Sequence, residues 1–152
     1  MSLTKSWEEF YEVGVQYENI FCQFLDRYNF EPCPAIGYHK EWDIKSKTYQ
    51  TTFEVKFDGK SKLTSRWAIE VAFQKPSGLS TTKATFWIFT NGDEWFYIST
   101  ADLRNVCQSI APSTLTGKGD TKPKTVIFIS DAKMRQICKS ITRAMRTFIS
   151  LQ

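Results

Sequence analysis

The chain is short of the residues that most hydrolytic and metal-binding chemistries rely on. It has one histidine, His39, and its four cysteines (Cys22, Cys33, Cys107, Cys138) are scattered with no C-x-x-C pair. That spacing makes a poor zinc site and no disulfide framework, so the cysteines read as buried free thiols. A Cys/His or Ser/His hydrolase would have to run entirely through His39. No apolar run approaches the roughly 20 residues that cross a bilayer. The opening MSLTKSWEEF has no apolar leader core. An intracellular protein with no membrane partner is the expectation.

What is present suits a folded domain. With 152 residues, 41% of them hydrophobic and 15% aromatic, the chain can bury a core and is not a disordered segment. One domain over 1–152 is expected, without internal repeats. The net charge of +4 is unevenly spread: residues 1–58 carry a balance of −4 and residues 59–152 one of +8. An acidic cluster beside a basic half suits an enzyme that collects cations at one spot and binds a polyanion around it.

Periodicity predicts a helix from Trp7 to Tyr28, opened by a Ser6/Glu9 capping box, with Trp7, Phe10, Gly14, Tyr17, Phe21, Phe24 and Tyr28 on one stripe. Glu18 falls at the edge of that stripe. A carboxylate there meets a metal or a lysine, or tilts out to water. Gly14, one turn earlier, leaves room for another backbone. A proline-rich connector follows at 29–37. Two short strands come next, the first ending near Asp43 and Ile44 and the second running from Gln50 to Phe57. A third is predicted over Arg66–Gln74, with Glu70 either on the face of Glu54 and Lys56 or ion-paired to Lys56 or Arg66. After a polar loop with a helical turn near 80–83, Phe86–Phe89 and Trp95–Ile98 form a hairpin through Asn91-Gly92. A helix from Thr100 or Asp102 to about Ile110, a Gly/Pro/Ser/Thr loop to Lys124 and a strand at Val126–Ile129 complete this part. The last element reads as one helix capped by Asp131, with Arg135, Lys139, Arg143 and Arg146 in a basic row opposite its apolar stripe.

The chemistry concentrates in EWDIKSKTYQTTFEVKF, residues 41–57. In the second strand Thr51, Phe53, Val55 and Phe57 alternate with Gln50, Thr52, Glu54 and Lys56, so Glu54 and Lys56 project from one face. Hard carboxylate oxygens suit Mg²⁺, which keeps waters and bridges to phosphate. Asp43 and Glu54 are candidate direct ligands, the Val55 carbonyl a further one, and Glu18 a holder of a second metal or a metal-bound water. Lys56 would orient and activate the attacking water or stabilise charge on the phosphate.

Glu18 on a first helix four residues after a glycine, Asp43, then Glu54-Val55-Lys56, together resemble the PD-(D/E)XK nuclease superfamily. That superfamily includes Holliday-junction resolvases, homing endonucleases and phage nucleases of similar size. The residue before Asp43 is Trp42 where many members have proline. The resemblance implies an α/β fold with a restriction-endonuclease-like core, a central mixed sheet of about five to six strands flanked by helices, matched over residues 7–98. It also implies a Mg²⁺-dependent endodeoxyribonuclease in which Mn²⁺ substitutes, acting on DNA as a homodimer or higher oligomer, in a bacterial or phage-infected cytoplasm. Candidate DNA contacts are Lys75, Ser77 and Lys83, the loop lysines Lys118, Lys122 and Lys124, and Arg135, Lys139, Arg143 and Arg146, which otherwise form a solvated face. A nuclease-like fold kept only for DNA binding or assembly is the alternative, and a structural protein without DNA affinity a third.

Overall fold

Hydrogen bonding along the chain yields five helices and ten strands among the residues that the structure, a computed structural model, describes: 7–37, 41–116 and 122–152, with α1 side chains from residue 12 onward. In order they are α1 (Trp7–Arg27), β1 (Pro32–Pro34), β2 (Ile44–Ser46), β3 (Thr52–Phe57), α2 (Ser61–Thr64), β4 (Arg66–Phe73) and β5 (Lys75–Pro76). A 3-10 turn (Gly78–Ser80) leads to β6 (Phe86–Thr90), β7 (Trp95–Ser99), α3 (Thr100–Gln108), β8 (Ser113–Leu115), β9 (Lys124–Ser130), α4 (Asp131–Ile137), β10 (Lys139–Ser140) and α5 (Thr142–Ser150). The predicted Ser6 cap, the Glu9 side chain, His39 and Lys118 lie outside the described residues.

The architecture is α/β. A mixed six-stranded sheet runs β1-β2-β3-β6-β7-β10, and a four-stranded antiparallel sheet runs β5-β4-β9-β8. β3 and β6 are parallel, with Glu54 beside Trp87 and Lys56 beside Phe89; the other neighbours in the large sheet are antiparallel. β6 sits centrally, and its FWIFT run is covered on both faces, as an apolar run without alternation requires. The Asn91-Gly92 hairpin forms as predicted. Asn91 Oδ1 accepts from the Asp93 and Glu94 N–H groups, and Gly92 takes a φ of +98° that its missing Cβ permits.

Two cores flank the large sheet. On one face Phe21 and Leu25 of α1 and Met145 of α5 pack on Ile44, Phe53, Val55, Ile88 and Trp95. Tyr17 stacks on Phe57 with ring centroids 4.7 Å apart and locks α1 over β3. On the other face Trp87, Phe89, Phe96 and Ile98 meet Trp67, Ile69, Ile127 and Ile129 of the small sheet, closed by Leu103 of α3 and Met134 of α4. No described helix is long and apolar enough to cross a membrane.

Several expectations are corrected. The Arg66–Phe73 strand leaves the large sheet and pairs with β9, because Trp67 and Ile69 are needed in the second core. The connector contains a strand, β1, and Asp43 stands just before β2 rather than ending a strand. Residues 131–150 are not one helix. Met134 and Cys138 belong to one core and Met145 to the other, so the chain breaks between them. There β10 pairs with the edge of β7, and the Ile141 N–H donates to the Trp95 carbonyl at 2.9 Å. A Cβ on Gly14 would meet nothing within 4 Å, so no backbone approaches it among the described residues. The cysteines are free, but Cys33 is exposed and Cys22 half-buried; burial pushes the Cys107 and Cys138 thiols up to about 11 and about 12.

Candidate metal centre

The short length of β2 creates the site. Beyond Ile44, β3 continues without a β2 partner, and the Val55 N–H on that edge needs an acceptor. Asp43 supplies it: its backbone N–H donates to the Phe53 carbonyl at 2.9 Å, and its Oδ2 accepts from Val55 N–H at 2.7 Å. The carboxylate is thereby held at 3% exposure. A residue's N–H and C=O leave a strand on the same edge, so the Val55 carbonyl lies on the Asp43 side too.

Alternation does the rest. Phe53 and Val55 enter the helix-side core, which turns Glu54 and Lys56 to the opposite face, as the sequence predicts. The Glu54 carboxyl hydrogen-bonds that of Asp43 and accepts from Thr82 Oγ1 at 3.2 Å. Its second oxygen lies 3.6 Å from Lys56 Nζ. Burial pushes the Glu54 carboxyl up to about 8; Lys56 opposes this, and the adjacent Asp43 reinforces it. At neutral pH Glu54 therefore keeps its proton.

Lys56 is 45% exposed, its ammonium 5.6 Å from the Trp87 ring centroid. Burial works against its charge, but Glu54, Asp43, Glu70 and Glu18, in falling order, outweigh it and hold the ammonium above its ordinary range. It is a cation at any physiological pH. Glu18 stands half-buried on α1, and its charge reaches Lys56 as the weakest of the four. Glu70 forms neither expected ion pair, although its charge reaches Lys56 as the third of the four. It pairs with Lys124 of β9 at 3.4 Å and accepts from Ser77 Oγ at 2.9 Å, while Arg66 stacks on Phe128.

Among the described residues no group of three or more His, Cys, Asp or Glu is arranged to hold a metal. Two contacting carboxylates and a neighbouring carbonyl nonetheless form an all-oxygen donor set. The proton on Glu54 relieves their mutual repulsion, and a divalent cation would replace it. That fits Mg²⁺, which needs few protein ligands and keeps its waters.

The basic candidates divide by face. Arg143 and Arg146 are exposed on α5, in the helix layer, on the other side of the sheet from Glu54 and Lys56. Lys139 lies on β10, and Arg135 pairs with Glu94 at 3.0 Å, so the predicted single row does not exist. Lys75 and Lys122 are exposed, Lys83 pairs with Glu41 at 3.1 Å, and Lys124 and Ser77 are held by Glu70.

Sequence reasoning missed Thr82 and Arg104. Thr82 sits in a polar stretch without periodicity, and only the crossover from β5 to β6 brings it to Glu54. Arg104 of α3 donates to the Leu79 carbonyl from Nε and Nη2 and to the Thr82 carbonyl from Nη2 at 2.7 Å, and so fixes that crossover. Three surface clefts of about 400, 440 and 560 Å³ are lined by other residues, while Asp43 and Glu54 are largely buried and Lys56 is the half-exposed member of the three. No protein-family model matches the chain, and no curated protein matches it.

Proposed function

We propose that the protein is a Mg²⁺-dependent endodeoxyribonuclease of the PD-(D/E)XK type, with Mn²⁺ able to substitute. The observation that carries this reading is the meeting of Asp43, Glu54 and Lys56 in one cluster, two hydrogen-bonded carboxyl groups with the Lys56 ammonium 3.6 Å from Glu54. The element order supports it as well. A helix precedes three antiparallel strands, and a later strand, β6, lies parallel to the one bearing Glu54 and Lys56. The crossover between them holds a four-residue helix and two strands of a second sheet where the superfamily pattern has one longer helix.

In this reading Asp43, Glu54 and the Val55 carbonyl hold the ion, which when bound supplies positive charge at the scissile phosphate. Lys56, being charged, does not take a proton from water. It donates hydrogen bonds to a phosphate oxygen and to the attacking water, fixing the line of attack and stabilising charge on the phosphorane. The bond from phosphorus to the sugar oxygen breaks as the water oxygen bonds to phosphorus, and the water's proton ends on that leaving oxygen by way of solvent. Thr82 keeps the Glu54 carboxylate oriented, and Glu18 offers an oxygen to a second ion or its water. Lys75 and Lys122, both exposed, contact DNA phosphates. Two copies cut the two strands of a duplex or junction.

The test is incubation of plasmid and of a four-way junction with Mg²⁺, Mn²⁺ or EDTA. Metal-dependent cutting is expected, abolished in Lys56→Ala and Asp43→Ala while DNA binding persists. Salt-sensitive DNA binding without cutting by wild-type protein under either metal would overturn the enzymatic reading in favour of a binding module.

A further inference from the structure

The large sheet carries a second feature on the face of Glu54 and Lys56. Lys45 lies opposite Thr52 in the β2–β3 pairing, and directly opposed residues share a face. Glu54 is the next same-face position, about 7 Å along the strand. Beside it opens the cleft of about 440 Å³, lined by Trp42, Lys45, Lys47, Gln50 and Glu41, together with the 33–35 segment. Trp42 immediately precedes Asp43 and is half-buried against the core of Trp67 and Trp87, with Lys45 Nζ over its ring 5.7 Å from the centroid, so a base would take the place that the lysine leaves as it swings to the phosphate. Glu41 is neutralised by Lys83 at 3.1 Å, so Lys45 and Lys47 leave the cleft cationic.

An aromatic ring beside two ammonium groups is the chemistry that takes one nucleotide, base on ring and phosphate on lysine. A base inside a duplex is already stacked on both faces and cannot reach a ring set in a cleft. We infer that this cleft binds an unpaired nucleotide of DNA one or two positions from the phosphate held at Asp43 and Glu54. The inference rests on the nuclease reading for its placement and narrows the substrate to DNA with a single-stranded segment beside the cut, such as a branch or flap.

The experiment is run in EDTA, so that binding is read without cleavage. Affinity for a labelled twelve-nucleotide oligodeoxythymidylate and for a twelve-base-pair duplex is measured by fluorescence anisotropy. Wild-type protein should prefer the single strand. Trp42→Ala should weaken that binding by about tenfold and change duplex binding less than about twofold, while Trp42→Phe should restore most of the loss. Lys45→Gln with Lys47→Gln should lower the salt slope of single-strand binding by about 1.4. That double variant decides the matter if Trp42→Ala fails to fold. Single-strand affinity and salt slope equal to wild type in these variants would overturn the inference. Trp42-dependent binding without Mg²⁺-dependent cutting of any substrate would remove the nuclease reading and keep the cleft; cutting with Trp42-independent binding would do the reverse.

Discussion

Replacing Glu54 with glutamine should make the metal-free protein more stable, by an amount that grows with pH. Its carboxyl ionises at about 8 in the folded chain against an ordinary 4.5, chiefly through burial, with Lys56 working the other way and Asp43 adding to the rise. The folded state thus holds a proton that the unfolded state releases. Stability is full below pH 4.5, falls by about 1.4 kcal/mol per pH unit above it, and levels off beyond about pH 8. The accumulated cost is about 1 kcal/mol at pH 5, about 3 at pH 7 and about 4 at pH 8. Glutamine carries no charge to desolvate. Its carbonyl can still accept from Thr82 and its amide can donate to Asp43, so the packing is kept. For a chain of this size the Tm gap between Glu54→Gln and wild type should widen from a few degrees at pH 5 to roughly 10 °C at pH 8. Thermal unfolding in EDTA across that range reads it directly. Added Mg²⁺ should raise the wild-type Tm and leave the variant's nearly unchanged. A gap of equal size at pH 5 and pH 8, or a variant less stable throughout, would refute the argument that Glu54 is buried with its proton.

Further tests bear on the elements that hold the site. Gly78 has a φ of +54°, and a Cβ there would stand 2.2 Å from the Glu70 carbonyl oxygen; Gly78→Ala should cost about 3 kcal/mol in denaturant unfolding. Thr82→Val should lower the cleavage rate roughly tenfold while Thr82→Ser retains it, because the hydroxyl donates to Glu54. Equal rates in the two Thr82 variants would place the threonine outside the site.

Much of the centre was legible from residue order. Alternation in TFEVKF put Phe53 and Val55 on one face and Glu54 and Lys56 on the other, and the structure keeps that division. The first helix and the Asn91-Gly92 hairpin were legible for the same reason, since periodicity and turn chemistry are local. Glu70 was not, because its partner Lys124 is 54 residues away across an edge that no local pattern announces. Nor was the break after Ile137. The spacing of Met134, Ile137, Cys138, Ile141 and Met145 is helical throughout, yet these side chains serve two different cores.

Residue order by itself settled which side chains turn inward and which present acid, ammonium and hydroxyl groups, because that follows from the period of the backbone. Tertiary structure alone decided which strands lie side by side, where β2 stops so that Asp43 meets Val55, and that Thr82 closes over Glu54. A pattern names the face a residue occupies, whereas its partner is chosen by long-range edge pairing and burial, which depend on the whole chain at once.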